Sequence, residues 1–157
     1  MGYFSLIKLL YFADRKMFLS YGQTITGDAM VSMDHGPVLS KIYDFIKRDR
    51  PIHDSEWSHY ITEPTGYEVR NKIKAPTDEL SRFEIGLLEE MHKKYGALKW
   101  WQVRNIAHNL PEWENPKGSS LPINPEVILQ RAKVSAKDIN CIRIKNTERS
   151  FFDSIAR

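Results

Sequence analysis

Cysteine is almost absent from this sequence, with Cys141 the single one in 157 residues. One cysteine forms neither an internal disulfide nor a cysteine-based zinc site, so we expect a protein of the reducing cytoplasm. Long apolar runs are absent too, and none approaches the roughly 20 residues that cross a bilayer. The apolar start is interrupted by Lys8 and lacks a preceding basic segment, which is not typical of a signal peptide.

An excess of charge of one sign is also missing. Lys and Arg number 23 against 20 for Asp and Glu, which gives a net charge of +3. Such a small excess does not indicate nucleic-acid binding, so we expect neither nucleic acid nor a membrane as a partner. The chain is 41% hydrophobic and of a length that favours one domain with a packed core.

Hydrophobic periodicity predicts a mainly α fold of the α+β kind, a single helical domain with a small two- to three-stranded antiparallel sheet. The expected helices cover 3–21, about 38–49, 81–95, about 98–110, 124–133 and 135 onward. A strand is expected at 29–33, joined by a hairpin at 57–74 that turns at "EPTG". We expect 114–122 to be a loop, and the polar stretch 145–150 to be poorly packed.

Start and stop signals support these bounds. They are Gly22 after the first helix, Gly36 as N-cap and Pro37 at the first position of the second, the capping box of Ser81 and Glu84, Asn124 with Pro125, and Ser135 with Asp138.

A histidine at the predicted strand-to-helix junction raises the question of catalysis. If the first helix packs beside this unit, His35 would lie near Asp14, Asp28, Asp34 and Asp44. A histidine among carboxylates can act as a general base or bind a metal. On this interpretation the chain is a metal-assisted hydrolase or nuclease.

The other interpretation of His35 is structural. The histidine then hydrogen-bonds across the turn, and the aspartates anchor helix ends or pair with Lys8, Arg15 or Lys41. We favour this interpretation because the chain has no zinc-ligand spacing, no G-x-S-x-G elbow and no phosphate-binding loop. We therefore predict no catalytic, cofactor-binding or metal-binding residues.

Two further features offer large apolar area. Trp100 and Trp101 are adjacent, so on a helix they point about 100° apart and one of them is a candidate interface anchor. The alternative is two half-buried residues at a helix edge. The apolar end at 150–155, with Phe151 and Phe152, is a second candidate anchor.

An ordered set of motifs resembles the Panacea, or SocA-like, antitoxin domain. The matching pieces are "KLLYFAD" at 8–14, "ITGD" at 25–28, "HGPV" at 35–38, "IYDF" at 42–45, "LS" at 80–81, "YG" at 95–96, His108 and Trp113. The resemblance covers about 8–130. No single piece is specific, but the complete set in this order is.

The resemblance implies a small antitoxin of a bacterial, phage or prophage toxin–antitoxin pair, without enzymatic activity. It would neutralise a cognate protein toxin by direct binding or, as an alternative, act as an adaptor that delivers the toxin to an ATP-dependent protease. We expect residues 1–133 to form the antitoxin domain and 134–157 a helical extension that contacts partners. The expected surface contains Asp14, Asp28, His35, Gly36, Pro37, Tyr43, His108 and Trp113, with Trp100, Trp101, Phe151 and Phe152 as anchors.

Overall fold

The computed structural model describes residues 1–47 and 56–155, without the side chains of residues 150, 152 and 153. Within this part the fold is mainly helical with one small antiparallel sheet, as predicted. The helices are α1 Tyr3–Tyr21, α2 Ser40–Lys47, α3 Glu56–Tyr60, α4 Arg82–Tyr95, α5 Trp100–His108, α6 Pro125–Arg131 and α7 Ala136–Ile155. The strands are β1 Met30–Ser32, β2 Val38–Leu39 and β3 Leu121–Pro122. None of the described helices combines the length and the apolar character of a membrane-spanning segment.

Helix α1 lies at the centre of the molecule. It packs against α2, α4, α5, α6 and β2, because apolar side chains cover most of its circumference. Its buried side chains include Ile7, Leu9, Phe12 and Phe18. The helix ends at Gly22, whose φ of 71° gives the left-handed C-cap that glycine favours.

The sheet differs from the predicted one. Its strand order is β2-β1-β3, with Met30 opposite Leu39 and Ser32 opposite Leu121. The predicted strand at 29–33 is confirmed as the central strand. Both of its partners were assigned wrongly, because β2 lies where a helix start was expected and β3 lies in the predicted loop.

The assignment of Gly36 and Pro37 to a helix start is wrong. Gly36 has a φ of 93° and belongs to the turn between β1 and β2. Val38 and Leu39 pair with β1 and are buried, and α2 begins only at Ser40. Burial in the sheet outweighs the local helix signal for these two apolar residues.

The hairpin predicted at 57–74 is confirmed only in its inner part, where Lys72 N donates to Tyr60 O at 2.7 Å and Thr62 N to Arg70 O at 2.8 Å. Residues 56–60 form α3, and only isolated antiparallel bridges remain, at Ile61–Asn71 and Thr65–Glu68. This segment pairs with the start of the chain rather than with β1, since Tyr3 N donates to Tyr67 O at 2.9 Å. Local β-propensity did not reveal this pairing, because the partner lies more than 60 residues away.

The C-terminal helices agree well with the prediction. The capping box of Ser81 and Glu84 begins α4, and Asn124 caps α6 with Pro125 in its first turn. Helix α7 follows Ser135 and packs Ile139 against α1 and α6. Residues 145 and 147–149 are exposed, which confirms the poorly packed segment.

Candidate functional site

The turn between β1 and β2 is held against α1 by a buried lysine. Lys8 is only 1% exposed, and its Nζ donates to Gly36 O at 2.6 Å and to Pro37 O at 2.8 Å. Burial lowers the pKa of Lys8 to about 7. A residue within the apolar face of a helix therefore fixes the position of the His35-Gly36-Pro37 turn.

Helix α5 packs so closely on this turn that only glycine fits. A Cβ on Gly36 would lie 2.9 Å from Ala107 Cβ and 3.2 Å from His108 Cδ2. The positive φ of Gly36 is a second reason for glycine at this position. The turn and α5 thus form one continuous surface.

Asp14 and Asp28 anchor the backbone. The carboxylate of Asp14 is buried and accepts from Ile25 N at 2.9 Å and from Thr26 N at 3.2 Å, as well as from the Thr26 hydroxyl. Burial raises its pKa despite these hydrogen bonds. The carboxylate of Asp28 accepts from the backbone amides of residues 41 and 42, at 3.1 Å each, and so caps α2 from a distance.

His35 does not make the hydrogen bond predicted for it. Its ring is exposed and faces Phe4, with the ring centroids 6.0 Å apart, and in residues 1–47 and 56–155 its side chain has no hydrogen-bond partner. The neighbouring Asp34 Oδ1 accepts from Gly118 N at 2.9 Å. No group of three or more His, Cys, Asp or Glu residues in the described part is placed to hold a metal ion.

His108 and Trp113 support the same turn from the other side. Their rings stack at 4.2 Å with an interplanar angle of 10°, and Trp113 Nε1 donates to Met33 O at 3.0 Å. Burial lowers the pKa of His108, opposed by a hydrogen bond with the backbone of Asp34. Both residues fasten the end of α5 and the following loop to the β1–β2 turn.

A groove opens where the turn meets the first residues of α1, and we name it the turn groove. Its volume is about 200 Å³. Its walls are Tyr3, Phe4, Ile7 and Lys8 of α1, Met33, Asp34 and His35 of the turn, Val38 of β2, Tyr43 and Lys47 of α2, and Gly118 and Ser119 of the following loop. Of the predicted site residues, His35 and Tyr43 therefore line one cavity.

Trp100 extends the rim of the turn groove onto α5. Its ring meets Phe4 edge-on at 5.6 Å and is 53% exposed, and the Arg104 guanidinium lies 5.6 Å from its centroid. Trp101 is 48% exposed and is not a wall residue of the groove. Neither ring is fully buried, which agrees with the alternative of two half-buried residues at a helix edge.

Comparison with known families decides the classification. The model of the family described as "Antitoxin SocA-like, Panacea domain" matches residues 6–114, which is more than half of the chain. The chain belongs to this family. No curated protein and no solved structure matches it.

The Panacea domain match contains most of the predicted surface but not the C-terminal anchors. Phe151 lies in α7 and is 63% exposed, and the side chain of Phe152 is outside the described part. Helix α7 contacts the C-terminal end of α1, where Asn146 Nδ2 donates to Gly22 O. The turn groove lies at the opposite end of α1, so the C-terminal anchors and the groove do not form one surface.

Several residues that matter to the Panacea domain's groove were not predicted from the sequence. Phe4, Lys8 and Arg104 were not assigned to the surface, although a lysine within an apolar helix face is a recognisable signal for a buried polar contact. Glu112 was also missed. It is buried, and it accepts from Tyr11 Oη at 3.0 Å and from Arg15 Nε at 2.5 Å, which joins α1 to the loop after α5.

Proposed function

We propose that this chain is an antitoxin that neutralises a cognate protein toxin by binding it directly, through the turn groove and its rim. The membership of the family described as antitoxin-like supports an antitoxin role. The contact surface is argued from the geometry. Four residues of the motifs that carry the family resemblance, Lys8, His35, Val38 and Tyr43, line one groove with aromatic walls.

The composition of the groove fits a protein partner. Phe4, Tyr43 and Trp100 offer aromatic area on elements that are fixed by packing, and aromatic side chains lose little conformational entropy on binding. Interface hot spots are enriched in such residues. By contrast, Asp14 and Asp28 use their oxygens on backbone amides and are not presented to a substrate.

The test is co-expression with the product of the neighbouring gene. We expect that product to stop growth alone, and this chain to restore growth and to co-purify with it. The experiment is run in cells with and without the major ATP-dependent proteases. Rescue in both strains supports direct neutralisation, whereas rescue only in protease-proficient cells supports the adaptor mechanism. A neighbouring product that stops growth and is neither rescued nor bound would contradict the proposal.

A further inference from the structure

Cationic side chains from three elements converge at the turn groove. Lys8 Nζ of α1 lies 5.6 Å from the centroid of the Phe4 ring, and the His35 ring of the turn lies 6.0 Å from the same ring. On α5, Arg104 covers Trp100, whose ring also contacts Phe4. Lys8 and His35 therefore flank the Phe4 ring, and Arg104 lies on the far side of the contact, over Trp100.

These three groups act on a common neighbour, His108. The charges of Arg104, Lys8 and His35 each lower the pKa of His108, in addition to the larger effect of burial. Among the described walls of the groove, Asp34 carries a carboxylate, and its Oδ1 already accepts from Gly118 N. The centre of the groove and its Arg104 rim thus carry more basic side chains than carboxylates.

Lys47 and Glu63 lie beyond this centre. Lys47 Nζ donates to Tyr3 Oη at 3.2 Å and lies 5.0 Å from the ring of Tyr3. Glu63 lines an adjacent cavity with Lys47 rather than the turn groove itself. Lys47 thus lines both cavities, and Glu63 lines the adjacent one.

Hydrogen-bonding capacity is also left over beside the groove. Within the described part of the chain, the buried atoms Arg104 Nε and His108 Nε2 have no hydrogen-bond partner. Buried polar atoms without partners are rare in folded proteins. Arg104 thus has a donor that the described part of the chain does not use, while its Nη2 donates to Asn105 Oδ1 at 3.4 Å.

We propose that the turn groove binds an acidic side chain of the toxin that is flanked by apolar residues. The carboxylate pairs with His35 and Arg104 near Lys8, and the flanking residues pack on Phe4 and Trp100. This inference rests on the proposed antitoxin function. A protein carboxylate is favoured over a nucleic-acid phosphate because the groove is small and aromatic and the net charge of the chain is only +3.

Charge reversal in the groove tests this proposal. The probe is the purified product of the neighbouring toxin gene, inactivated by a substitution in its own active site, and affinity is measured by calorimetry. His35→Glu and Arg104→Glu should each weaken binding about tenfold or more, because each places a carboxylate against the toxin's own. Raising the salt concentration should weaken the wild-type complex as well.

Arg82→Glu is the matched control. It makes the same change of charge as Arg104→Glu, at an exposed position at the start of α4. Its neighbour Phe83 contacts Tyr21, which lies at the other end of α1 from the groove. We expect the affinity of Arg82→Glu for the toxin to be that of the wild type.

A complementary experiment identifies the toxin residue. Each Asp and Glu on the toxin is changed to Arg, and the variants are screened against Arg104→Glu. One of them should lose affinity for the wild-type chain and regain it with Arg104→Glu. Restoration by none of them would overturn the pairing.

The outcomes separate the two proposals. If the wild type binds the toxin and His35→Glu and Arg104→Glu bind equally well, the acidic contact is wrong and the antitoxin proposal stands. If the wild type does not bind the toxin, both are wrong. Thermal unfolding shows whether each variant is folded. If Arg104→Glu is unfolded, the test rests on His35→Glu, because His35 is exposed and its substitution should not disturb the fold.

Other occupants of the groove would also overturn the inference. If light scattering shows that the chain dimerises on its own and that His35→Glu is monomeric, the groove is an interface between copies. If the purified chain carries RNA that His35→Glu does not carry, the anionic partner is a phosphate.

Discussion

At the scale of single residues, Lys8 and Gly36 determine the shape of the turn groove. The ammonium group of Lys8 satisfies two carbonyl oxygens of the turn that α5 covers. Gly36 allows α5 to approach because it has neither a side chain nor a penalty for positive φ. Lys8 and Gly36 thus both determine how the backbone of the turn at residues 36 and 37 is placed between α1 and α5.

Gly36→Ala should destabilise the protein more than an alanine at another glycine of positive φ. The expected cost is about 2–5 kcal/mol, which combines the left-handed conformation with the contact on Ala107. Gly27→Ala is the matched control, because Gly27 has a φ of 64° and no atom within 4 Å of the added Cβ. It should cost only about 1–2 kcal/mol. Urea unfolding measures both, and equal losses would show that the close approach does not matter.

The titration of Lys8 should make stability rise with pH. The pKa of Lys8 is about 7 in the fold and 10.5 without burial, so between these values the unfolded chain binds more protons than the folded chain. The stabilisation that Lys8 gives is complete above its pKa of 10.5 in the unfolded chain. It is lost as the pH falls through its pKa of about 7 in the fold. From about pH 7 to about pH 9 we expect a gain of ~2 kcal/mol in the free energy of unfolding.

Lys8→Met is the comparison for this prediction. The free energy of unfolding of Lys8→Met should not show this rise with pH. The stability of the wild type relative to the variant should therefore increase from about pH 7 to about pH 9. The comparison is limited to pH values below about 9. At higher pH the raised pKa of Tyr11 makes the free energy of unfolding fall with pH. Parallel curves for the two proteins would contradict a depressed pKa of Lys8.

At the scale of elements, α4 and α2 begin in two different ways. Helix α4 has a local capping box, in which the Ser81 hydroxyl accepts from Glu84 N at 3.2 Å. Helix α2 follows directly on β2, and its first amides are bound by Asp28, which precedes β1. Only the first kind of start can be recognised from neighbouring residues.

Ser81→Ala should remove the local cap of α4. We expect a loss of about 0.5–2 kcal/mol in the free energy of unfolding, because the amide of Glu84 loses its acceptor. Ser120→Ala, at an exposed loop position, is the control and should change stability by less than about 0.5 kcal/mol. Denaturant titration compares the three proteins. Similar stability for Ser81→Ala and the wild type would mean that packing alone defines the start of α4.

At the scale of the whole molecule, α1 separates two regions of the surface. Its N-terminal end forms the turn groove, and its C-terminal end receives α7, where Phe18, Leu129 and Ile139 form a small core. The proposed division into 1–133 and 134–157 therefore crosses a shared apolar contact. We expect α7 to contribute to stability even if its outer face contacts a partner.

The adjacent tryptophans allow a controlled test of which region binds the toxin. Trp100→Ala should weaken toxin binding about thirtyfold or more, because truncation of an aromatic hot-spot residue costs about 2 kcal/mol. Trp101→Ala removes the same side chain from the next position, about 100° around the helix from the ring that contacts Phe4. We expect it to bind nearly as well as the wild type in the same calorimetric assay. Equal losses, or a loss only for Trp101→Ala, would place the interface elsewhere.

Much of the helical framework is determined by the sequence alone. Apolar spacing in 3–21, the stop at Gly22 and the capping box at Ser81 all depend on residues a few positions apart. Such signals are present in any local window of the chain, and they gave the helix bounds closely. The family resemblance was also contained in the sequence, as an ordered set of short motifs.

The sheet partners and the groove were decided only by tertiary structure. Val38 and Leu39 form a strand because β1 is available to pair with them, although the preceding Gly-Pro is typical of a helix start. Lys8 meets the turn across 28 residues of sequence, and Asp28 caps a helix 13 residues ahead of it. Local propensity carries no information about such pairings. They stabilise the protein only after distant segments have been brought together and their polar groups removed from water.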